Sequence, residues 1–155
     1  MRSKRAKKRP LEADPIYKSK VVNRTINVVM LDGKKSTARK IVYGVLERLS
    51  DDRKEAVKMF EDAVKNVMPT KEVRSRRIGG ATYQVPYPLK HDRAEALAIR
   101  WLVRIARGKS GTDMVTRLHK EIADANEGLG DAVRKRDEVH KTAESNRAFA
   151  HFARF

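Results

Sequence analysis

The first half of the chain repeats apolar residues at the spacing of amphipathic helices. One stripe begins at Val21 and ends before Gly33, a second covers 41–49, and a third covers 57–67. Glycine and proline punctuate these stripes, and Pro69 closes the third. We therefore expect three helices before residue 70.

The second half predicts three more helices. Residues 93–107 are apolar around most of a helical wheel, after a start marked by Asp92. A fifth helix follows Thr112, which can cap it, and the glycines within 128–130 break it before a sixth begins at Asp131. The chain is thus predicted to be mainly α, a single domain of about six helices.

Between the two halves the period changes, and residues 73–89 predict one β-hairpin. Gly79 and Gly80 suit the positive φ angles of a two-residue turn, and this turn pairs Ile78 with Ala81 and Arg76 with Tyr83. Because every second residue of a strand lies on the same face, Arg74, Arg76 and Tyr83 share a face.

That face combines guanidinium groups for phosphate with an aromatic ring for a base, which favours irregular or single-stranded RNA over a DNA groove. The alternative is a hairpin packed on its own domain, with Tyr83 in the core. The pattern alone leaves both open.

The distribution of charge along the chain indicates the kind of partner that the protein binds. The 155 residues carry a formal net charge of +16, with +10 in residues 1–40, +7 in residues 71–110, and almost none elsewhere. Two segregated basic blocks favour binding to a nucleic acid rather than a mixed solvated surface. Residues 1–13 are predicted to be a disordered basic RNA-binding arm, and residues 14–155 the helical domain. The candidate contacts of the first block are Arg2, Lys4, Arg5, Lys7, Lys8, Arg9, Lys18, Lys20, Lys34 and Lys35.

The fourth helix adds a line of arginines to the second block. Arg93, Arg100, Arg104 and Arg107 fall within about 60° of one another on a wheel of about 100° per residue. A polar stripe made only of arginine predicts a phosphate-binding ridge. The Phe149, Phe152 and Phe155 spacing near the end predicts either docking within the chain or contact with a partner, and does not decide between them.

The residues predict no catalytic, cofactor or metal site. Without cysteine there is no disulfide framework, thiolate metal site or thiol nucleophile. The four histidines follow no ligand spacing, and the lysine-rich segment 32–37 lacks the first glycine of a phosphate-binding loop. The start lacks the apolar core of a signal peptide and no run of about 18 apolar residues occurs, so we expect neither export nor a membrane partner.

Four blocks of the sequence resemble the bacterial-type uS7 family of small-subunit ribosomal proteins, in order and spacing. They read LDGKKSTARKIVYGVLE (31–47), PTKEVRSRRIGGATYQVP (69–86), ALAIRWLV (96–103) and AVRKRDEVHKTAESNRAFAHF (132–152). The resemblance implies a helical protein with one protruding hairpin. It also implies direct binding to the 3′ major domain of small-subunit rRNA, nucleation of head assembly, and proximity to exit-site tRNA and mRNA.

Carried over by position, the resemblance makes the basic arm, Lys34, Lys35, Arg74, Arg76 and Arg77 rRNA contacts. It directs the hairpin tip, Ile78 to Ala81, toward the tRNA exit site. Neighbouring head and platform proteins would be partners, with no small-molecule substrate. The expected location is the cytoplasm, within the small subunit of a bacterial or plastid ribosome. The alternatives are a free-standing nucleoid or RNA-chaperone protein and an RNA-modifying enzyme.

Overall fold

The computed structural model describes residues 9–154, and the side chains of residues 9–153. Within that range the chain forms helices and one antiparallel hairpin, followed by a 3-10 helix. The elements are α1 (Lys20–Val29), α2 (Lys35–Leu49), α3 (Arg53–Val67), β1 (Lys71–Ile78), β2 (Ala81–Pro88), α4 (His91–Gly108), α5 (Met114–Asn126), α6 (Asp131–Ser145) and the C-terminal 3-10 helix (Arg147–Arg154). The predicted mainly α fold with one hairpin is confirmed.

Two helix starts differ from the sequence prediction. Helix α4 begins at His91 with Lys90 at its cap, so Asp92 lies inside the first turn instead of before it. Helix α5 begins at Met114 with Asp113 at its cap, one residue after the predicted Thr112. Both shifts are small because the apolar stripe fixes the body of a helix, whereas several polar residues compete for its end.

The apolar stripes of the helices meet in one core. Its largest fully buried side chains come from five different helices: Ile26, Leu46, Phe60, Ile99, Leu118 and Ile122. Helix α4 contributes buried residues on nearly every turn. This agrees with the prediction that α4 lies at the centre of the core, since its helical wheel is apolar on most sides. Its arginines form the one polar side of the helix.

Asp14 fixes the segment before α1 to the bundle. Its carboxylate is 1% exposed and accepts hydrogen bonds from the N–H groups of Ile16 and Tyr17 at 3.0 and 3.1 Å, and from the Tyr43 hydroxyl on α2 at 2.9 Å. A buried carboxylate is stable only when it is paired in this way. Asp14 is therefore an anchor point close to the basic N-terminal segment.

Glu121 has the same role at the other end of the chain. Its side chain is fully buried, and it accepts from the Lys109 ammonium at 2.6 Å and from the Ala132 N–H at 2.8 Å. The hydrogen bond to Glu121 raises the pKa of Lys109 above its usual range. This single carboxylate thereby joins the end of α4, the middle of α5 and the start of α6.

We predict that Tyr43→Phe lowers the free energy of unfolding by roughly 1.5–3 kcal/mol near neutral pH, since Asp14 loses a hydrogen bond to its charged carboxylate. Burial, followed by the hydrogen bond to Asp14, raises the pKa of Tyr43 from 10.0 to about 12. Between these values the phenol ionises in the unfolded chain but stays neutral in the folded one, so stability falls as pH rises through this window. Urea unfolding at pH 7 to 11 should show a steeper alkaline loss for the parent protein than for Tyr43→Phe. Parallel curves would contradict this assignment.

Candidate nucleic-acid interface

The basic side chains of the protein fall into paired and unpaired sets. On α6, Arg134, Lys135 and Arg136 each pair with a carboxylate of the same helix. A second set is exposed, and within the described side chains no carboxylate lies within 4.0 Å of any of them. Its members include the predicted RNA contacts Lys18, Lys20, Lys34, Lys35, Arg77, Arg100 and Arg104. Lys40, Lys54, Lys58 and Lys120 are exposed without such a partner as well, so the lack of a carboxylate does not by itself mark a contact.

The four arginines of α4 divide into two pairs. Arg100 and Arg104 are exposed, with no hydrogen-bond partner in the described part of the chain. Arg93 pairs with Glu72 of β1, and Arg107 donates to the carbonyls of Val28 and Val29 at 3.4 and 2.9 Å. All four side chains of the predicted ridge are exposed, and its two end arginines also hold other elements in place.

Helix α1 runs beside α4 in the same direction. Arg24 pairs with Glu95 near the start of α4 at 2.6 Å, and the last carbonyls of α1 receive Arg107 near its end. Lys20 lies one turn before Arg24, so it lies toward the start of α4. Lys34 follows the end of α1 by only a few residues, so it lies toward the other end.

The unpaired cations thus follow α4 from end to end. Its 18 residues span about 27 Å at a rise of about 1.5 Å per residue. We call this surface the basic stripe. It consists of the unpaired Lys18, Lys20, Arg100, Arg104, Lys34 and Lys35, together with Arg93, which is half-exposed and also pairs with Glu72. The base of the hairpin joins its first end, since Glu72 of β1 contacts Arg93.

The hairpin has the predicted register, with Arg74 opposite Val85, Arg76 opposite Tyr83, and Ile78 opposite Ala81. Gly79 and Gly80 have φ angles of 57° and 89°, as the two-residue turn requires. The strands extend from Lys71 to Pro88, so β1 begins two residues before the predicted start.

Of the two possibilities left open for Tyr83, the structure favours packing within the chain. Its ring packs against Phe149 and Phe152 of the C-terminal 3-10 helix, with centroids 5.2 and 5.3 Å away. Arg76, directly opposite, donates to the Phe152 carbonyl at 2.6 Å. The aromatic tail therefore docks within the chain and leaves two predicted RNA contacts, Arg76 and Tyr83, half-buried, whereas Arg77 on the other face is exposed.

Tyr87 has the environment that was expected of Tyr83. The Arg74 guanidinium carbon lies 5.4 Å from the centroid of the Tyr87 ring, and Glu72 pairs with both Arg74 and Arg93. The sequence analysis missed Tyr87, Glu72 and Lys90 as site residues. The predicted strand register could have identified Glu72 and Tyr87, since it places them opposite each other on the face of Arg74.

Some predictions lie outside this geometry. Arg2, Lys4, Arg5, Lys7, Lys8 and Phe155 are outside the described residues, and Arg9 is exposed. In the described range, no three histidine or acidic side chains are grouped as a metal site would require. None of the helices described here has the length and apolar character needed to cross a membrane.

Comparison with known proteins gives one consistent family. The family model described as ribosomal protein S7p/S5e matches residues 1–147. A small ribosomal subunit protein uS7 from Kocuria rhizophila is 53% identical over 148 residues, which cover 95% of each chain. The uS7 protein of Acholeplasma laidlawii is 51% identical over 146 residues, 94% of each chain, and that of Petrotoga mobilis is 50% identical over 153 residues, 98% of this chain and 99% of its own.

We predict that single alanine substitutions separate the arginines of α4 by their effect on stability. Arg107→Ala should lower the free energy of unfolding by roughly 1–3 kcal/mol, since two carbonyls at the end of α1 lose their donor. Arg100→Ala and Arg104→Ala should change it by less than about 0.5 kcal/mol, because neither side chain has a partner to lose. Thermal and urea unfolding of the three variants measures this order. Equal losses at all three positions would contradict the division.

Proposed function

The chain belongs to the ribosomal protein S7p/S5e family, and on this premise we propose that it is a non-catalytic structural constituent of the small ribosomal subunit that binds small-subunit rRNA directly. The observation that carries direct binding is the basic stripe. Its arginines and lysines are exposed along one helix and at both of its ends, with few carboxylates beside them.

The stripe suits a phosphate backbone for an electrostatic reason. Each cation that neutralises a phosphate releases a condensed counterion, and this release supplies a large part of the binding free energy. Salt bridges within the protein would compete with those contacts. In the first half of α6, Arg134, Lys135 and Arg136 are already paired with neighbouring carboxylates, so that segment offers little net attraction to RNA.

The family resemblance makes the proposal more specific. The RNA is the 3′ major domain of a 16S-type rRNA, and the protein nucleates assembly of the subunit head beside other head and platform proteins. Its location is then the small subunit in the cytoplasm of a bacterium, since the relatives named above are bacterial small-subunit proteins. No cofactor or small-molecule substrate is required for this role.

The hairpin then has two parts with different tasks. Arg74 and Arg77, which lie on β1, contribute to rRNA affinity together with the basic stripe. The tip from Ile78 to Ala81 carries no charge, and a Cβ at Gly79 or Gly80 would meet no atom within 4 Å. We assign the tip to the neighbourhood of the exit-site tRNA and mRNA path.

Neutralising two arginines of the stripe tests the proposal. Arg100→Gln with Arg104→Gln should weaken binding to a 3′-domain transcript and lower the slope of log affinity against log salt by about 2, one unit for each lost phosphate contact. Filter binding over a salt series measures both quantities. The matched control is Arg134→Gln with Lys135→Gln, which removes the same charge from α6 and should leave the slope nearly unchanged.

Equal effects of the two double variants would show that only net charge matters, and would contradict a defined rRNA-binding surface. A DNA duplex of similar length serves as a second probe. Equal affinity for both nucleic acids would favour the nucleoid-protein alternative.

Shortening the hairpin tests the assignment of its tip. Replacing Ile78 to Ala81 with a closing Asn-Gly turn should leave rRNA affinity unchanged, because no charged residue is removed. Ribosomes carrying this variant should release exit-site tRNA at an altered rate, measured by dissociation of labelled tRNA. Loss of rRNA binding with normal tRNA release would refute the assignment.

A further inference from the structure

A groove lies between the base of the hairpin and the start of α4. It encloses about 810 Å³, and its lining includes Arg74, Tyr87, Lys90, Asp92 and Arg93. Sites for small organic ligands occupy about 300–1,000 Å³, so the groove is large enough for a single nucleotide. Three cations and one aromatic ring at its walls are the groups that recognise a phosphate and a base.

Glu72 holds the two arginines of the groove side by side. Its Oε1 accepts from Arg74, and its Oε2 accepts from Nε and Nη2 of Arg93 at 3.4 and 3.3 Å. A guanidinium has five N–H donors, and in both arginines Nη1 has no partner among the described residues. The Arg74 and Arg93 side chains are 56% and 50% exposed. Glu72 therefore orients both groups while leaving donors free for a ligand.

Tyr87 supplies the aromatic surface. Its ring is half-buried and is held beside the Arg74 guanidinium, 5.4 Å from the ring centroid. Tyr83, four residues earlier on the same strand face, is half-buried too, but its ring packs against Phe149 and Phe152 of the C-terminal 3-10 helix. Of these two tyrosines, only Tyr87 lines the groove.

We propose that this groove binds one unpaired nucleotide of the bound rRNA. The base stacks on the platform formed by Tyr87 and Arg74, and the phosphate lies between Lys90 and Arg93. The inference rests on the proposed function, because it identifies which part of the rRNA this end of the basic stripe recognises.

The nucleotide must be unpaired for a steric reason. Bases in an A-form duplex are stacked on each other, and only those in loops, bulges and ends can stack on a protein side chain. Asp92 at the rim further favours a whole nucleotide over phosphate alone. Its carboxylate repels an isolated anion but accepts a hydrogen bond from a ribose 2′-hydroxyl or an amino group of a base.

Substitutions at Tyr87 test the stacking contact. Tyr87→Leu should weaken binding of the full-length protein to the 3′-domain transcript by roughly 5- to 150-fold, whereas Tyr87→Phe should stay close to the parent affinity. Neither change should alter the salt slope, because neither removes a charge. Lys90→Ala should instead lower the slope by about 1.

Ultraviolet cross-linking of the parent protein to the same transcript gives a second measurement that needs no variant. Residues 78–90 form one tryptic peptide that contains both tyrosines, so Tyr83 is an internal control. The expected RNA adduct is on Tyr87 and absent from Tyr83. This result decides the proposal even if Tyr87→Leu fails to fold.

The outcomes distinguish this inference from the proposed function. Parent-like affinity of Tyr87→Leu, an equal loss for Tyr87→Phe, or an adduct on Tyr83 alone would overturn the nucleotide site. Each of these leaves rRNA binding by the parent protein intact. Failure of the parent protein to bind the transcript would overturn the proposed function itself.

Discussion

A hairpin of only two strands is marginally stable by itself in water, so the surface proposed to bind RNA depends on how the hairpin is held against the helices. Val85 and Pro86 are buried at its base, and Glu72 joins it to α4 through Arg93. His140 on α6 accepts from the N–H of Thr70 at 3.0 Å, just before β1 begins. These contacts fix the base and leave the Gly79–Gly80 turn projecting.

Three carboxylates of this protein hold secondary-structure elements together through ion pairs. Glu95 and Glu121 are almost completely buried, and each pairs with a cation from another element: Arg24 of α1 and Lys109 after α4. Glu72 does the same between β1 and α4. Glu95 and Glu121 are buried at junctions, so they do not compete for the exposed cations of α4. Glu72 pairs with Arg93 of the basic stripe but leaves Arg100 and Arg104 unpaired.

The sequence predicted the features that depend on local periodicity. Helical stripes and the Gly79–Gly80 turn gave the order of elements and the strand register, because periods of 3.6 and 2 follow from backbone geometry. The sequence could not predict the contacts of Arg76, Tyr83 and Arg107. Arg76 and Arg107 bind carbonyls 76 and 78 residues away, and Tyr83 contacts the end of the chain. Such contacts arise only when distant elements pack together.

Tyr83 and Tyr87 show why residue type alone does not locate the site. Both are tyrosines on one face of one strand, and each lies near an arginine of β1. Phe152 of the 3-10 helix packs against Tyr83, and its carbonyl accepts from Arg76, so the protein's own tail contacts that end of the face. At Tyr87 the neighbouring arginines are bound to a carboxylate that orients them and leaves Nη1 free. The difference lies in the neighbours that the rest of the chain supplies, and it is why the proposed nucleotide site lies at the anchored end of the hairpin, where Tyr87 lines the groove.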